Sequence, residues 1–255
     1  MALAIAREFG GVVVNADSMQ VYDVLRVVTA RPGPEDEALA PHRVYGVLPP
    51  SVACSAARWK ELAAAAMHDA WAAGRLPVVV GGTGLYLRTL MHGISPIPDI
   101  PDEVRADARA RLARLGNAAF HAELAARDPV MAARLDPSNS QRLARAWEVI
   151  AATGRSLAEW QAEPCEGAVP ARYLTFALLP PRDALYANCD RRFRLMMEHG
   201  AVDEVRTLLA LNLDPQLPAM KALGVPEISA FVRGEIDRET AIARASTATR
   251  NYAKR

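Results

Sequence analysis

The chain has 255 residues, of which 51% are hydrophobic, and its 30 basic and 29 acidic residues give a formal net charge of +1. This length and apolar content are sufficient for one large domain, or for a domain with a smaller one inserted in it. The balanced charge excludes a basic nucleic-acid-binding surface over the whole molecule, so any contact with RNA must be local. Apolar runs such as residues 63–67 are too short to span a bilayer, and we expect a soluble, cytoplasmic protein with no membrane partner.

Cysteine usage argues against two kinds of stabilising cross-link. The 3 cysteines, Cys54, Cys165 and Cys189, are widely spaced, and no two of them form a C-x-x-C pair. A disulfide framework or a structural zinc site would require paired spacings. We therefore expect ordinary free thiols and no metal site built from cysteines.

The first part of the chain alternates helix-like and strand-like segments. An apolar helical stretch at residues 2–9 precedes the β-branched run GVVVN at residues 11–15, and an Ala-rich helical stretch at residues 55–73 precedes a second run at residues 76–80. Runs without polar alternation predict strands that are covered on both faces. The repeated order of helix and strand predicts an α/β fold, a parallel sheet covered by helices.

A long segment without strand-like patterns follows. Helices are predicted at residues 102–115, 118–127 and 138–152, with Asp128-Pro129 and Asp136-Pro137 as breaks between them. A third strand is predicted at residues 173–179 (YLTFALL), followed by helices at 182–199, 202–211, 226–233 and 238–255. The predicted organisation is an α/β core at residues 1–100 and 162–255, with an all-helical insertion domain at residues 101–161.

Polar residues follow the first two predicted strands. NADSMQ at residues 15–20 comes after GVVV, and GGTG at residues 81–84 comes after VVV. In an open parallel sheet, ligands bind outside the carboxyl ends of the strands, so Asp17 and Thr83 are expected at one edge. Each motif alone is also compatible with a plain structural role, because Asp often caps a helix and a glycine-rich segment often only turns the chain.

Four motifs, in this order and with these separations, resemble those of tRNA dimethylallyltransferases: NADSMQVY, VVVGGTGLYL, DPSNSQRLARAWEV and ATRNYAKR. The resemblance covers essentially the whole chain. It implies a P-loop-kinase-like, nucleotide-binding core with a helical insertion that grips the anticodon stem-loop of a tRNA. The implied reaction transfers a dimethylallyl group from dimethylallyl diphosphate to the exocyclic N6 of an adenine next to the anticodon. The resemblance also implies a monomeric enzyme and Mg²⁺ bound to the diphosphate. It assigns no metal ligand among the site residues.

The resemblance also implies roles for individual residues. Asp17 matches a general base that takes a proton from the adenine amine, and Thr83 can orient Asp17 or the substrate. Candidates on the diphosphate side are Arg250, Lys254 and Arg255. The implied tRNA contacts are Asp17, Ser18, Met19, Gln20, Arg105, Gln141, Arg142, Leu143, Ala144 and Arg145.

The arginines among these residues have an alternative interpretation. Arg142 and Arg145 lie three residues apart on a predicted helix, on nearly one face, where guanidinium groups can bind phosphate or stack on bases. Surface salt bridges with Asp107 or Glu148 would account for the same pattern without RNA.

The sequence departs from the family at its start. The family opens with a strand and a G-x-x-x-x-G-K-[ST] loop that holds the diphosphate, and Met1 aligns a few residues beyond that loop. We therefore expect the chain as given to transfer no prenyl group, and we expect a gap beside the strand at residues 11–15. The alternatives are a non-catalytic tRNA-binding remnant or gene-model fragment, a small-molecule kinase, which would need the same loop, and prenyl transfer to a free adenine nucleotide, which would need no large helical insertion.

Overall fold

The computed structural model describes residues 1–254. The chain forms two compact units, a first unit of Met1–Met91 with Pro170–Arg255 and a second unit of His92–Val169. The second unit begins before and ends after the insertion predicted at residues 101–161. No helix within residues 1–254 is long and apolar enough to cross a bilayer.

The first unit contains a small parallel sheet. Its strands are β1 (Val12–Asn15), β2 (His42–Arg43) and β3 (Pro77–Val80), in the order β2-β1-β3. Val13 is paired with His42 on one side and with Val78 on the other. All four residues of β1 are buried, as expected for a β-branched run without polar alternation. The predicted parallel α/β sheet is confirmed.

Twelve helices account for most of the remaining structure within residues 1–254. In chain order they are α1 (Ala2–Glu8), α2 (Pro34–Leu39), α3 (Ala56–Ala72), α4 (Gly84–His92), α5 (Asp102–Arg127), α6 (Pro129–Arg134), α7 (Ser140–Thr153), α8 (Leu157–Ala162), α9 (Arg182–Glu198), α10 (Ala201–Ala210), α11 (Val225–Val232) and α12 (Arg238–Ala253), with a 3-10 helix at Pro218–Lys221 before α11. Helices α1 and α3 pack against β1 and β3. The hydroxyl of Ser55 accepts from the N–H of Arg58 at 3.1 Å, which fixes the start of α3.

The strand predicted at residues 173–179 is wrong. These residues have no regular secondary structure, and Leu174, Phe176, Leu178 and Leu179 are between 64% and 89% exposed. β-branched and aromatic side chains pack well on a sheet, so their presence favours a strand. A strand also requires a neighbouring strand to accept and donate its backbone hydrogen bonds. None of the described strands pairs with this segment, so its composition is insufficient to make it a strand.

The positions of β1 and β3 in the sheet also differ from expectation. Strand β3 was expected to be covered on both faces, but it is an edge strand in which Val80 is 38% exposed. The gap expected beside β1 is absent, because β1 is the central strand and the edge strands within the described residues are β2 and β3. Short apolar runs carry no information about strand order, and strand order determines which strand lies at the edge.

The second unit is helical. Helix α5 packs against α6 and α7 around a core that includes Phe120, Leu124 and Trp147. Gly116 has a φ of +72° and kinks α5, which matches the break predicted between residues 115 and 118. The helices predicted at 102–115, 118–127 and 138–152 are confirmed, whereas the shorter α6 and α8 were not predicted.

Candidate active site

The carboxyl ends of β1 and β3 are in direct contact. The N–H of Ala16 donates to the carbonyl of Val80 at 2.8 Å, and the N–H of Thr83 donates to the carbonyl of Ala16 at 3.2 Å. A Cβ atom on Gly81 would lie 2.2 Å from the carbonyl carbon of Ala16 and 2.6 Å from the nitrogen of Asp17. Only glycine allows this approach, so the glycine-rich loop brings Thr83 next to the segment that carries Asp17.

Asn15, the last residue of β1, holds the backbone of Asp17. Its Nδ2 atom donates to the carbonyls of Asp17 and Val44, each at 3.0 Å, and its Oδ1 atom accepts from the N–H of Asp17 at 2.8 Å. The Asn15 carbonyl accepts from Nε1 of Trp59 at 2.8 Å, and Asn15 is fully buried. Sequence reasoning missed this role, although a lone amide at the end of a buried apolar run was the available signal.

Replacing Asn15 with Ala should destabilise the fold. The substitution leaves the carbonyls of Asp17 and Val44 without their buried donor, and an unsatisfied buried group costs about 1–3 kcal/mol. Denaturant titration measures the free energy of unfolding. The matched control is Asn188→Ala, since the exposed Asn188 side chain accepts from Arg191 at the surface. Equal losses in both variants would contradict the holding role of Asn15.

The Asp17 carboxylate is half-buried and only partly engaged. Its Oδ1 atom accepts from the N–H of Met19 at 2.8 Å. Within residues 1–254, Oδ2 accepts no hydrogen bond and no Lys, Arg or His forms an ion pair with this carboxylate. A carboxylate with a free oxygen and no cationic partner is available to accept a proton from a ligand.

Thr83 contacts the backbone beside Asp17 and not the carboxylate itself. Its Oγ1 atom accepts from the N–H of Ser18 at 3.0 Å. The prediction allowed a hydrogen bond to Asp17 or to substrate, and the structure contains a third arrangement, in which Thr83 fixes the loop after Asp17. A hydroxyl that accepts one hydrogen bond still has its own proton to donate.

Three aromatic residues surround this strand end, and none was predicted. The ring of Tyr86 stacks on Trp59 at 4.5 Å, and its hydroxyl donates to the carbonyl of Cys54 at 3.3 Å. Burial and, to a smaller extent, the nearby Asp17 carboxylate together raise the pKa of Tyr45 to about 12. Burial and the hydrogen bond to Cys54 raise the pKa of Tyr86, with a smaller contribution from Asp17. Both phenols therefore stay protonated at neutral pH.

The other predicted contacts of this loop are half-buried. Ser18, Met19 and Gln20 line the strand end beside Asp17. The Nε2 atom of Gln20 donates to the carbonyls of Thr29 at 2.8 Å and of Ala30 at 3.3 Å. Because carbonyl oxygens only accept, the amide nitrogen of Gln20 must face them, and its amide oxygen points the other way.

In the second unit, the residues predicted to contact tRNA on α7 fall into two groups. Gln141 and Arg142 are exposed, and Arg145 is half-buried, with Nη1 3.6 Å from Oε2 of Glu148. Leu143 is fully buried in the helical core and Ala144 is also buried. The prediction therefore needs correction for these two side chains, because helical periodicity turns them away from the surface that RNA can reach.

Glu148 lies among arginines from two helices. Its side chain is 13% exposed, and burial raises its pKa, while Arg145, Arg105 and Arg109 lower it in that order. Arg105 also donates from Nε to the carbonyl of Ile100 at 3.1 Å. The salt bridge foreseen between Arg145 and Glu148 is present, and Arg105 also lies 3.8 Å from Asp102. Three arginines therefore share two carboxylates, which leaves an excess of positive charge among these side chains.

The candidates for the diphosphate side have partners of their own. Arg250 forms an ion pair with Asp190 and donates to Oγ1 of Thr247 at 2.9 Å. Lys254 donates to Oδ1 of Asn251 at 3.4 Å. Arg255 lies outside the described residues. A role for these cations toward a diphosphate remains a prediction.

The site offers few ligands for a metal ion. Residues 1–254 contain no group of three or more His, Cys, Asp or Glu side chains that could hold one. Asp17 and Thr83 offer one carboxylate and one hydroxyl. That pair suits Mg²⁺ held mainly by substrate phosphates and water, and it does not suit an ion held by protein ligands alone.

Comparison with known proteins identifies relatives over the entire chain. The family model described as IPP transferase matches residues 20–255. The chain is 63% identical over 255 residues to a tRNA dimethylallyltransferase of Paramagnetospirillum magneticum, covering 100% of this chain and 81% of the relative. It is 57% identical to one of Rhodospirillum centenum, covering 100% of this chain and 82% of that protein.

Solved structures agree with these sequence matches. A tRNA isopentenylpyrophosphate transferase from Bacillus halodurans superimposes with a TM-score of 0.67 at 31% identity, covering 99% of this chain and 79% of that one. A eukaryotic dimethylallyltransferase, solved in a study of its action on tRNA, superimposes with a TM-score of 0.80 at 25% identity, covering 99% of this chain and 64% of that one.

Proposed function

The chain belongs to the tRNA dimethylallyltransferase (IPP transferase) family, and we propose that it transfers a dimethylallyl group from dimethylallyl diphosphate to N6 of an adenine next to the anticodon. The observation that carries this proposal is the contact of the β1 and β3 ends, where Gly81 lets the Thr83 loop touch the Asp17 segment. A tRNA substrate also implies a cytoplasmic enzyme.

Asp17 acts as the general base in the proposed reaction. A new bond forms between N6 of the adenine and C1 of the dimethylallyl group, while the bond from C1 to the diphosphate oxygen breaks and the diphosphate leaves with its electron pair. The N6 proton passes to the free Oδ2 atom of Asp17. The exocyclic amine of adenine is a poor nucleophile, so removal of this proton during bond formation contributes to the rate.

Thr83 and Asn15 keep Asp17 in place for this step. Thr83 accepts from the N–H of Ser18, and Asn15 bonds the backbone N–H and carbonyl of Asp17. Because the backbone on both sides of the Asp17 side chain is fixed, little entropy is lost when the adenine binds, which is the advantage of a preorganised site. The hydroxyl proton of Thr83 is available to donate to the incoming nucleoside.

The donor diphosphate requires positive charge. When bound, Mg²⁺ on the diphosphate would neutralise charge that develops on the leaving group. Such an ion would be held by the phosphates of the donor and by water, which leaves Asp17 free to act as the base. Arg250 and Lys254, and Arg255 beyond them in the chain, are the candidates from α12 and its end to face the diphosphate.

The exposed arginine surface of the second unit fits an RNA stem-loop. An adenine must leave its stack in the anticodon loop to reach a catalytic pocket, which costs a few kcal/mol and calls for contacts to the surrounding RNA. Gln141, Arg142, Arg145 and Arg105 supply exposed or half-exposed side chains for such contacts. A free nucleotide would need no surface of this kind.

Arg142→Ala and Arg145→Ala should each weaken binding of an anticodon stem-loop. A lost phosphate contact lowers the slope of log affinity against log salt by about one unit. Fluorescence anisotropy over a salt series measures both the affinity and the slope. Arg134→Ala is the matched control, since Arg134 is an exposed arginine on α6 of the same unit.

Unchanged affinity and slope in both α7 variants would leave Arg145 with only its ion pair to Glu148 and Arg142 with no role in RNA binding. The same titration with adenosine monophosphate in place of the stem-loop tests the substrate class. Equal affinity for nucleotide and stem-loop would contradict a tRNA substrate.

A further inference from the structure

Glu204 makes an unusual set of contacts for a helix side chain. It lies in the first turn of α10, and its carboxylate accepts from three successive backbone N–H groups of another segment. Oε1 accepts from Arg26 at 3.0 Å and from Val27 at 2.6 Å, and Oε2 accepts from Val27 at 2.8 Å and from Val28 at 3.1 Å. Successive N–H groups that converge on one anion form a concave backbone site, here occupied by the protein's own carboxylate.

The segment that Glu204 binds is a tight turn at residues 25–30, referred to below as the 25–30 turn. The hydroxyl of Thr29 donates to the carbonyl of Leu25 at 2.6 Å, and the N–H of Ala30 donates to the carbonyl of Val27 at 3.0 Å. Ala30 has a φ of +53°, a left-handed conformation that is costly for a residue with a Cβ atom. Such a conformation persists only where neighbouring contacts enforce it.

The far end of the 25–30 turn holds Gln20. The carbonyls of Thr29 and Ala30 both accept from Nε2 of Gln20, so the amide nitrogen faces the turn. The Oε1 atom accepts no hydrogen bond from residues 1–254. It is therefore free to accept from an N–H group of a ligand.

We propose that Glu204 is a positioning residue that, through the 25–30 turn, orients the Gln20 amide so that its Oε1 atom accepts an N–H donor from the RNA base edge. This inference rests on the proposed function, because it takes RNA as the ligand of the Asp17 loop. Glu204 touches no substrate. Its negative charge fixes the N–H end of the turn, and the turn's carbonyl end then fixes Gln20.

Glu204→Ala and Glu204→Gln test the proposal. The alanine removes the acceptor, while the glutamine keeps the size of the side chain but turns an N–H₂ group toward backbone N–H donors. Both should release the turn and weaken anticodon stem-loop binding by about 2- to 12-fold, the value of one net hydrogen bond. Asp203→Ala is the matched control, since Asp203 shares the first turn of α10 but forms only an exposed ion pair with Arg206.

Two readouts separate positioning from general stabilisation. In a double-mutant cycle, Glu204→Ala should cost nearly nothing further once Gln20 is Ala, within about 2-fold, because both act through the same contact. In ¹⁵N NMR spectra of the RNA-free chain, the Gln20 side-chain amide signal should shift in both Glu204 variants and stay in place in Asp203→Ala.

Independent losses in the cycle, or an unshifted Gln20 signal in both Glu204 variants, would overturn the proposal. The NMR readout requires no RNA. Failure of the unsubstituted chain to bind a stem-loop would count against the proposed function, and the Gln20 signal would still decide whether Glu204 orients this amide.

Discussion

Replacing Asp17 with Asn is expected to lower the rate of prenyl transfer by about 10²- to 10⁴-fold, the range for loss of a general base. The amide cannot take the N6 proton, yet its oxygen can still accept from the N–H of Met19 as Oδ1 does at 2.8 Å. The loop should therefore keep its shape, and stem-loop affinity should change little. Single-turnover transfer of labelled dimethylallyl to bound RNA measures this rate directly.

The matched control is Asp23→Asn, because Asp23 is an exposed carboxylate that follows the same strand. Both variants are assayed in two forms of the protein. One is the 255-residue chain, and the other adds the strand and G-x-x-x-x-G-K-[ST] loop that the family resemblance implies. The variants are compared in the form that turns over. If Asp17→Asn abolished RNA binding but left the rate per bound complex unchanged, Asp17 would be a binding residue and not the base.

Gly81→Ala should be the second large effect. The new Cβ atom would lie 2.2 Å and 2.3 Å from the carbonyl carbon and oxygen of Ala16, so the two strand ends must separate. Because these atoms are backbone, no side-chain rotation can relieve the contact. A displacement of about 1 Å at a catalytic group can cost about 10²-fold in rate, and we expect a loss of that size.

Gly82→Ala provides the control for this prediction. A Cβ atom on Gly82 would meet no heavy atom within 4 Å, although the residue is adjacent in the same loop. The Gly82 variant should retain most of the transfer rate. Equal rates for the Gly81 and Gly82 variants would show that the close approach of the strand ends is irrelevant to the reaction.

Local pattern was sufficient to predict part of the fold. Continuous β-branched runs identified β1 and β3, and alanine-rich segments with proline or glycine at their ends identified α3, α5 and α7. These elements depend on residues that are close in sequence and on the pattern of apolar residues, and both can be read from a single sequence. Residues 173–179 had an equally good strand pattern but form no strand, because strand formation depends on a partner elsewhere in the chain.

The site was predictable only for residues that stand in recognisable motifs. Asp17 and Thr83 follow their strands directly, so the rule for parallel sheets located them. Asn15 and Gly81 stand in the same motifs, but they act through backbone contacts that the motifs do not reveal. Glu204 lies in no motif and follows Arg26, which it contacts, by 178 residues. Long-range contacts to backbone N–H groups leave no pattern in composition or periodicity.

The position of the transferred label is the most direct test of the proposed reaction. Labelled dimethylallyl diphosphate is incubated with an anticodon stem-loop or with adenosine monophosphate, using the 255-residue chain and the form with the preceding loop, and the product nucleoside is identified by mass spectrometry. With the form that carries the preceding loop, we expect label on N6 of the adenine next to the anticodon, a strong preference for the stem-loop over the nucleotide, and loss of label in Asp17→Asn. Absence of label on the stem-loop in both forms, or equal labelling of the free nucleotide, would contradict the proposed reaction.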